Sequence, residues 1–328
     1  MKPKLLSVIM SVYNGEKHLV QAIESILNQT YQNFEFIIID DCSTDNSLDI
    51  LEEYAKKDSR IKIIKKEKNL GIKGFIENLN LGISIAEGKY IARMDADDIS
   101  LPERFQKQVD FLEKNPEIIL VGAQLNFINE QNEITGEAIG ALEHRDIVKR
   151  ITSKIPLFHP VIMFRKDQNI QYREKFLYCE DYDLYLNLIT QGKKLANINE
   201  KLLNYRVLKT SISRKGDNFV KKLMVEKALY FYKLRYKIGK DFYENFNNLE
   251  VLEINNINHK NSKSELFFAM DIAIKLNKKE QLDFLLKKFK KYYQKEKIPF
   301  KYYIFSKLPL IIFRLFKKFY NGYPHQIF

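Results

Sequence analysis

Apolar and polar positions follow two different rhythms along the first hundred residues of the chain. Short runs rich in β-branched residues predict four strands, at residues 5–11, 34–40, 61–65 and 90–94. Between these runs, apolar residues recur every three or four positions and predict amphipathic helices. Strands that alternate with helices in this way indicate an α/β fold with a mainly parallel sheet flanked by helices.

The same rhythm continues less regularly beyond residue 100. Ser100 followed by Pro102 predicts the N-terminus of a helix that runs to about Lys114. Residues 118–128 are expected to be extended, and the turn-forming sequence at 129–132 would then reverse the chain.

The last part of the chain changes character. Residues 161–164 predict a buried strand, and residues 181–190 a helix that ends at Gly192. From about Phe219 on, the pattern becomes almost wholly helical and rich in Lys, Tyr and Phe. We therefore predict an α/β domain at 1–218 and a smaller helical region at 219–328.

Composition bounds the cellular setting. A chain of 328 residues can bury a large core without disulfides. The two cysteines, Cys42 and Cys179, have a spacing that matches neither a zinc-ligand pair nor a redox pair. A reducing cytoplasm is therefore the expected location.

The charge of the chain is unevenly distributed. There are 54 Lys and Arg against 42 Asp and Glu, a formal charge of +12, which favours a polyanionic partner such as nucleic acid, an anionic membrane or a phosphorylated substrate. From Lys287 to Lys318 basic residues recur among aromatic ones, and Glu296 is the only acid. The basic excess is thus concentrated near the C-terminus.

Two interpretations of this basic and aromatic segment stay open. No window of the sequence reaches the roughly 18 apolar residues of a membrane-spanning helix, and residues 309–313 are followed at once by Arg314. A helix lying in the interface of an anionic membrane is one interpretation. In the other, the aromatic residues complete the core of the helical region and the lysines form its solvated face.

Polar residues follow three of the predicted strands directly. The first strand leads into Ser11 to Asn14, the second ends in Asp40 and Asp41, and the fourth is followed by Asp95-Ala96-Asp97-Asp98. Ligands of open parallel sheets bind beyond the carboxyl ends of the strands. Carboxylates there can accept hydrogen bonds from a base or a ribose, or hold a hard divalent cation on a diphosphate.

Each acidic pair alone would more often be a turn former or a helix cap. Their repetition at one sheet edge favours a functional site. Three carboxylates within the four residues 95–98 are also costly unless a cation or a buried functional site compensates them.

With these residues in place, the sequence resembles the family 2 glycosyltransferases with the GT-A fold, over about residues 5–213. Three ordered stretches carry the resemblance. They are SVIMSVYNGEKHLVQAIESILNQTYQNFEFIIIDDCSTDNS, NLGIKGFIENLNLGISIAEGKYIARMDADDISLPERFQKQ, and HPVIMFRK followed by CEDYDLYLNL.

The resemblance implies a nucleotide-sugar site at the ends of the strands. Asp40 matches the carboxylate that bonds the uracil ring. Asp95-Ala96-Asp97 matches the DxD motif, in which the first aspartate faces the ribose and the last binds Mg²⁺ or Mn²⁺ on the diphosphate. The full expected set for the nucleotide sugar is Val12, Tyr13, Asn14, Glu16, Asp40, Asp41, Asp95 and Ala96, with Asp97 and Asp95 as metal ligands.

The resemblance also implies a catalytic base. Asp181 matches that base, and Glu180 beside it would hold the acceptor or orient the base. A base opposite a departing diphosphate inverts the anomeric centre in a single displacement. Helix capping is the structural alternative for this acidic pair, and it can coexist with catalysis.

Two features depart from the family. Many relatives have a histidine near Leu208 that serves the metal or diphosphate, and here Arg206, Lys209 or Arg214 would neutralise the phosphates instead. The QxxRW signature of polymerising relatives is absent, since the chain has no tryptophan. His159, in the matching HP element, is expected to be a packed, hydrogen-bonded residue.

The sequence thus predicts an inverting, metal-dependent transferase. It would move a hexose or N-acetylhexosamine from a UDP-sugar to a glycan or lipid-linked saccharide, at the inner face of the cytoplasmic membrane and without nucleic acid. One rival is a nucleic-acid-binding protein, which the basic segment suggests but the acidic triplet opposes. Another is an idle nucleotide-sugar-binding scaffold, which Asp97 and Asp181 argue against.

Overall fold

A computed structural model of the protein describes residues 5–167, 170–208 and 217–308. The first two ranges contain strands and helices in alternation. The strands are β1 (Leu6–Val12), β2 (Phe34–Asp40), β3 (Ile61–Lys65), β4 (Tyr90–Asp95), β5 (Ile99–Ser100), β6 (Ile118–Ile128), β7 (Ile134–Ala138), β8 (Met163–Arg165) and β9 (Lys194–Arg206). The helices are α1 (Glu16–Leu27), α2 (Ser47–Lys57), α3 (Gly71–Ile85), α4 (Arg104–Lys114), α5 (His144–Ile151) and α6 (Glu180–Thr190).

The nine strands form one mixed sheet. Its order is β3-β2-β1-β4-β8-β6-β9-β5, with β7 paired to β6. β1 lies between β2 and β4 and is parallel to both. The chain therefore builds outward on one side of β1 and then returns to the other side, and ligands of open α/β sheets bind at such a reversal. The predicted sheet flanked by helices is confirmed.

Alternation along the central strands gives the sheet two apolar faces. Val8, Met10 and Val12 are fully buried in the core cluster that includes residues of α1, α2 and α4. The next residues along β1 face the other way. A Cβ at Gly82 of α3 would lie 2.6 Å from a methyl carbon of Ile9, so this glycine lets α3 pack directly on the sheet.

Two sequence predictions of local structure were wrong. Ser100 does not cap a helix, because it lies in β5, opposite Leu203 of β9, and its hydroxyl accepts a hydrogen bond from Gln29 (3.1 Å). The helix α4 begins at Arg104 instead. The strand expected at 161–164 is confined to β8, since residues 159–161 form a 3-10 turn.

The remaining helices are α7 (Asn218–Ile238), α8 (Leu249–Leu252), α9 (Lys263–Lys275), α10 (Lys279–Tyr292) and α11 (Phe300–Lys307). The chain divides into two compact units, residues 1–216 with 232–240 and residues 217–231 with 241–328. Among the described residues, no helix is both long enough and apolar enough to cross a membrane.

The second unit has a helical core that contains two buried lysines. Lys227 forms an ion pair with Glu265 (2.8 Å) and lies 3.8 Å from the ring centroid of Phe268. Lys288 is fully buried and donates to the carbonyls of Glu253 (2.8 Å) and Ile254 (2.9 Å). These groups are satisfied within the unit, so both lysines stabilise it.

Candidate active site

The carboxyl ends of β1, β2 and β4 meet at the centre of the sheet. Val12 is in register with Asp40, and Ser11 with Asp95. The backbone N–H of Asp41 donates to the carbonyl of Val12 (2.8 Å). The three polar sequences found at the strand ends are therefore neighbours.

The loop after β1 is tied to the loop after β2. Asn14 has a positive φ of 50°, and its side-chain oxygen accepts from the N–H of Thr44 (2.8 Å). Glu16 accepts from the backbone and side chain of Asn46 (3.0 and 2.8 Å). Asn14 and Glu16 thus hold the two loops together, while the Tyr13 side chain is half exposed above them.

Asp40 and Asp41 are both buried at the end of β2, and each keeps one free oxygen. Asp40 Oδ2 accepts from the N–H of Ser43 (3.2 Å), and Asp41 Oδ2 from the amide of Asn69 (2.9 Å). Their Oδ1 atoms have no hydrogen-bond partner within the described ranges. Burial raises the pKa of Asp41. Both carboxylates can therefore accept a hydrogen bond from a ligand donor.

The acidic triplet after β4 is compact. One oxygen from each of Asp95, Asp97 and Asp98 lies within 4.8 Å of the others. Burial and the neighbouring Asp95 raise the pKa of Asp97 to about 6. Burial, Asp95 and Asp97 raise the pKa of Asp98 well above its usual range. Three carboxylates this close disfavour each other's ionisation.

The triplet fits a hard divalent cation. Its donors are all oxygens, the type that Mg²⁺ and Mn²⁺ prefer. Asp98 Oδ2 is buried and lacks a partner among the described residues, as expected of an acceptor built for something other than the protein. A bound cation would offset the repulsion between the carboxylates, which together with burial raises the pKa values of Asp97 and Asp98.

A buried arginine, Arg93, pairs with the first acid of the triplet. Both of its terminal nitrogens bond the Asp95 carboxylate, with 2.7 Å between Nη1 and Oδ2. The carbonyl of Arg93 accepts from the buried Arg104 (2.7 Å). Arg93 was not among the predicted site residues. Its signal in the sequence is a charged residue inside an apolar strand, two positions before Asp95 and so on the same face.

The triplet is also held from β9. The N–H of Arg206 donates to Asp98 Oδ1 (2.8 Å), and its guanidinium donates to the carbonyls of Asp97 (2.8 Å) and Asn129 (2.9 Å) and to Gln21 (3.0 Å). Arg206 is only 1% exposed. Three of the five N–H groups of its guanidinium are thus used within the protein, and Lys209 and Arg214, the other expected phosphate contacts, lie outside the described residues.

The second acidic group opens α6. Three carboxylates lie in its first turn, and Asp183 is taken up by a two-point contact with Arg173 (2.7 Å between Nε and Oδ2). Asp181 accepts only from the next backbone N–H (2.7 Å) among the hydrogen bonds the structure gives it, and Glu180 Oε2 is buried without a partner in the described chain. Of the three acids in this turn, Glu180 and Asp181 are therefore the candidates for a catalytic role.

The charges at the end of β4 interact with the acids of α6. Burial raises the pKa of Glu180 to about 8, with the Asp181 charge as the next cause. Burial also raises the pKa of Asp181. Arg93 and Asp95 act on both groups, which places α6 beside the end of β4.

His159 is packed, as the sequence suggested. Its Nε2 lies 2.7 Å from the hydroxyl of Tyr172, and the rings meet edge to face with centroids 5.4 Å apart. Burial lowers the pKa of His159 well below its usual range. A neutral imidazole bonded to a phenol supports the wall of the site and is not a base facing solvent.

With this geometry in place, comparison with known proteins gives consistent results. Residues 7–175 match the family model described as glycosyl transferase family 2. An uncharacterized glycosyltransferase of Haemophilus influenzae is 35% identical over 81% of this chain and 87% of its own length. The amylovoran biosynthesis glycosyltransferase AmsE of Erwinia amylovora is 34% identical over 71% of this chain and 87% of its own.

Two further matches extend the comparison. The O-antigen biosynthesis glycosyltransferase WbnJ of Escherichia coli is 37% identical over 62% of this chain and 80% of its own. The crystal structure of Staphylococcus aureus TarS 1–349 in complex with UDP-GlcNAc superimposes with a TM-score of 0.60. That match has 16% identity and covers 85% of this chain and 83% of the other, so it supports the fold.

Proposed function

Since the chain belongs to glycosyltransferase family 2 and is a glycosyltransferase, we propose that it is an inverting, metal-dependent enzyme with a UDP-sugar as donor. It moves a hexose or N-acetylhexosamine to a glycan or lipid-linked saccharide of the cell surface. Relatives named for amylovoran and O-antigen biosynthesis support this class of acceptor. The observation that carries the proposal is the acidic triplet beside β1, where the strand order reverses.

On the donor side, one pair of acids contacts the nucleoside and the other binds the cation. Asp40 and Asp41, each with a free Oδ1, accept hydrogen bonds from the base or the ribose. Asp95, fixed by Arg93, and Asp97 would hold Mg²⁺ or Mn²⁺. The cation would supply positive charge that stabilises the diphosphate as leaving group.

On the acceptor side, Asp181 is the catalytic base. It takes the proton from the acceptor hydroxyl as that oxygen attacks the anomeric carbon. Glu180, whose pKa burial raises to about 8, holds its proton at neutral pH and donates it in a hydrogen bond to the acceptor or to Asp181. Attack from the face opposite the departing diphosphate inverts the configuration.

Arg206 takes a different role from the phosphate contact that the sequence suggested. Its buried guanidinium donates to the carbonyls of Asp97 and Asn129 and to Gln21. We propose that it fixes the loop that carries Asp97 and Asp98. Because Arg206 is buried, Lys209 and Arg214 remain the residues that the sequence predicts to contact the phosphates of the donor.

The protein is also proposed to work at the inner face of the cytoplasmic membrane, where lipid-linked acceptors are found. The basic segment from Lys287 to Lys318 supports an anionic membrane as partner.

A panel of UDP-sugars tests the donor and the metal together. Release of UDP is measured for each sugar with Mn²⁺, with Mg²⁺ and with excess EDTA. We expect release from at least one sugar, dependent on metal and abolished in Asp97→Ala, while the exposed Asp110→Asn control behaves as wild type. Equal release in EDTA, or an unimpaired Asp97→Ala variant, would contradict metal dependence.

A further inference from the structure

The helix α11 has two unlike faces. Tyr302 and Phe305 are buried, at 2% and 8% exposure. Phe300, Tyr303 and Ile304 are 73%, 52% and 42% exposed. Positions 300, 303 and 304 follow the i, i+3, i+4 spacing of one helix face, so these three side chains form a continuous apolar strip, the α11 strip, open to solvent.

The buried aromatic residues of this region anchor the helix beneath the strip. The ring of Tyr302 stacks on Phe267, with centroids 5.6 Å apart and an angle of 10°. Tyr293 donates to the carbonyl of Asn261 (2.7 Å), and Tyr292 to that of Ile257 (3.1 Å). The aromatic residues that the structure describes in this segment therefore divide into a packed group and those of the exposed α11 strip.

The segment that contains the strip is strongly basic in sequence, and its lysines in the described residues are exposed, except for the buried Lys288 and the partly buried Lys301. Residues 287–318 carry eleven Lys or Arg and one Glu, a net charge of +10, against +12 for the whole chain. The single acid, Glu296, is already paired with Lys263 (2.9 Å). Lys307 is exposed at the end of α11, with its amine 5.7 Å from the ring centroid of Tyr303.

We infer that the α11 strip is the surface by which this protein binds an anionic phospholipid bilayer. Charge alone would suit any polyanion, and aromatic rings could stack on nucleic-acid bases. Ile304 cannot stack on a base. The exposed apolar side chains of Phe300 and Ile304 beside the exposed Tyr303 instead fit the boundary between lipid headgroups and acyl chains. The lysines attract the anionic headgroups, each contributing about fivefold to binding near the surface.

The inference rests on the proposed membrane location and says which side chains enter the lipid. It does not depend on the donor or on the acidic site, because the strip belongs to the helical unit. Loss of transferase activity in any assay would therefore leave it standing, and loss of lipid binding would leave the donor chemistry standing.

Binding to vesicles tests it on the full chain. Co-sedimentation is measured with vesicles of phosphatidylcholine alone and with vesicles containing phosphatidylglycerol, at low and high salt. We expect binding to the anionic vesicles, with a loss of at least about tenfold in the double variant Phe300→Ser and Ile304→Ser. The matched control, Ile134→Ser and Ile139→Ser, removes two exposed isoleucines from the α/β unit (65% and 51% exposed) and should bind as wild type.

A single fluorescent reporter tests insertion directly. The chain has no tryptophan, so Tyr303→Trp introduces one emitter on the strip. We expect emission typical of water in solution, a blue shift on anionic vesicles, and quenching by brominated acyl chains.

Several results would overturn the inference. One is equal vesicle binding by the double variant and the wild type, which would leave charge as the whole cause. A second is blue-shifted emission of Tyr303→Trp before vesicles are added, which would mean that the protein covers the strip. A third is tight binding of single-stranded DNA by the wild type that the double variant loses to the same extent as vesicle binding. That result would identify a nucleic-acid surface.

Discussion

Replacing Arg206 with methionine distinguishes the two roles considered for this residue. The change removes three hydrogen bonds from the guanidinium, to the carbonyls of Asp97 and Asn129 and to Gln21. It leaves the backbone N–H that donates to Asp98 in place. Methionine keeps most of the length of the side chain, so the cavity that remains is small.

The size of the effect follows from these contacts. Hydrogen bonds from a charged donor contribute about 1.5 to 3 kcal/mol each, and they are not additive. A buried acceptor that loses its donor typically costs about 1 to 3 kcal/mol, so three such acceptors together are expected to cost about 3 to 5 kcal/mol. We therefore expect Arg206→Met to lose that much free energy of unfolding, which in a domain of this size lowers Tm by about 6 to 20 °C.

The assay pairs stability with nucleotide affinity. Urea unfolding and thermal melting are measured for wild type, Arg206→Met and the exposed control Arg145→Met, and UDP binding is measured by calorimetry with Mn²⁺. A fall in stability without ligand supports the structural role. If Arg206→Met is as stable as wild type and only UDP affinity falls, Arg206 is a phosphate contact and our reasoning is wrong.

Three further predictions follow from the acids of α6 and from α11. Asp181→Asn should bind UDP as wild type does but transfer sugar about 10² to 10⁴ times more slowly, and a wild-type transfer rate would exclude Asp181 as the base. Glu180 has a pKa of about 8 in the folded chain against an ordinary 4.5, so the folded state holds a proton that the unfolded state has released, and wild-type stability falls as pH rises between those values. The free energy of unfolding of Glu180→Gln relative to wild type should accordingly rise from about pH 5 to about pH 8 in paired urea titrations, and a difference that does not change with pH would contradict the buried, protonated carboxyl. Tyr302→Ala should cost about 3 to 5 kcal/mol, whereas the exposed Tyr303→Ala should change urea stability by less than about 0.5 kcal/mol; equal losses would mean that the faces of α11 are wrongly assigned.

The strands that the sequence located well are those with an unambiguous local signal. The apolar, β-branched runs predict β2 and β3 at their observed bounds, because neither run has a competing helical period. β2 is buried along its whole length, whereas β3 is an edge strand in which only Ile61 is buried. β9 was not predicted. Its sequence KLANINEKLLNYR contains few β-branched residues, and its extended form comes from pairing with β6, which local propensity does not encode.

The candidate site shows the same division. Carboxylates at the ends of β2 and β4 could be found, because a strand followed by acids is a local pattern. The role of the Arg206 side chain could not, since it depends on a contact with the carbonyl of Asp97, more than a hundred residues away in the sequence. Tyr302 and Tyr303 are neighbours in sequence with opposite burial, and only the orientation of α11 decides which one is packed.

The acidic loop is therefore not a self-contained motif. Ile99 of β5 pairs with Asn204 of β9, and the N–H of Leu101 donates to the carbonyl of Leu202 (3.0 Å). With the Arg206 contacts to Asp97 and Asp98, these bonds attach the C-terminal side of the acidic triplet to β9, which lies more than a hundred residues later in the sequence. Three carboxylates within 4.8 Å repel one another, so a loop held only by β4 would spread and lose the spacing that a single cation needs. We therefore expect residues 202–206 of β9 to be needed for the geometry of the triplet, although none of their side chains has to touch the substrate.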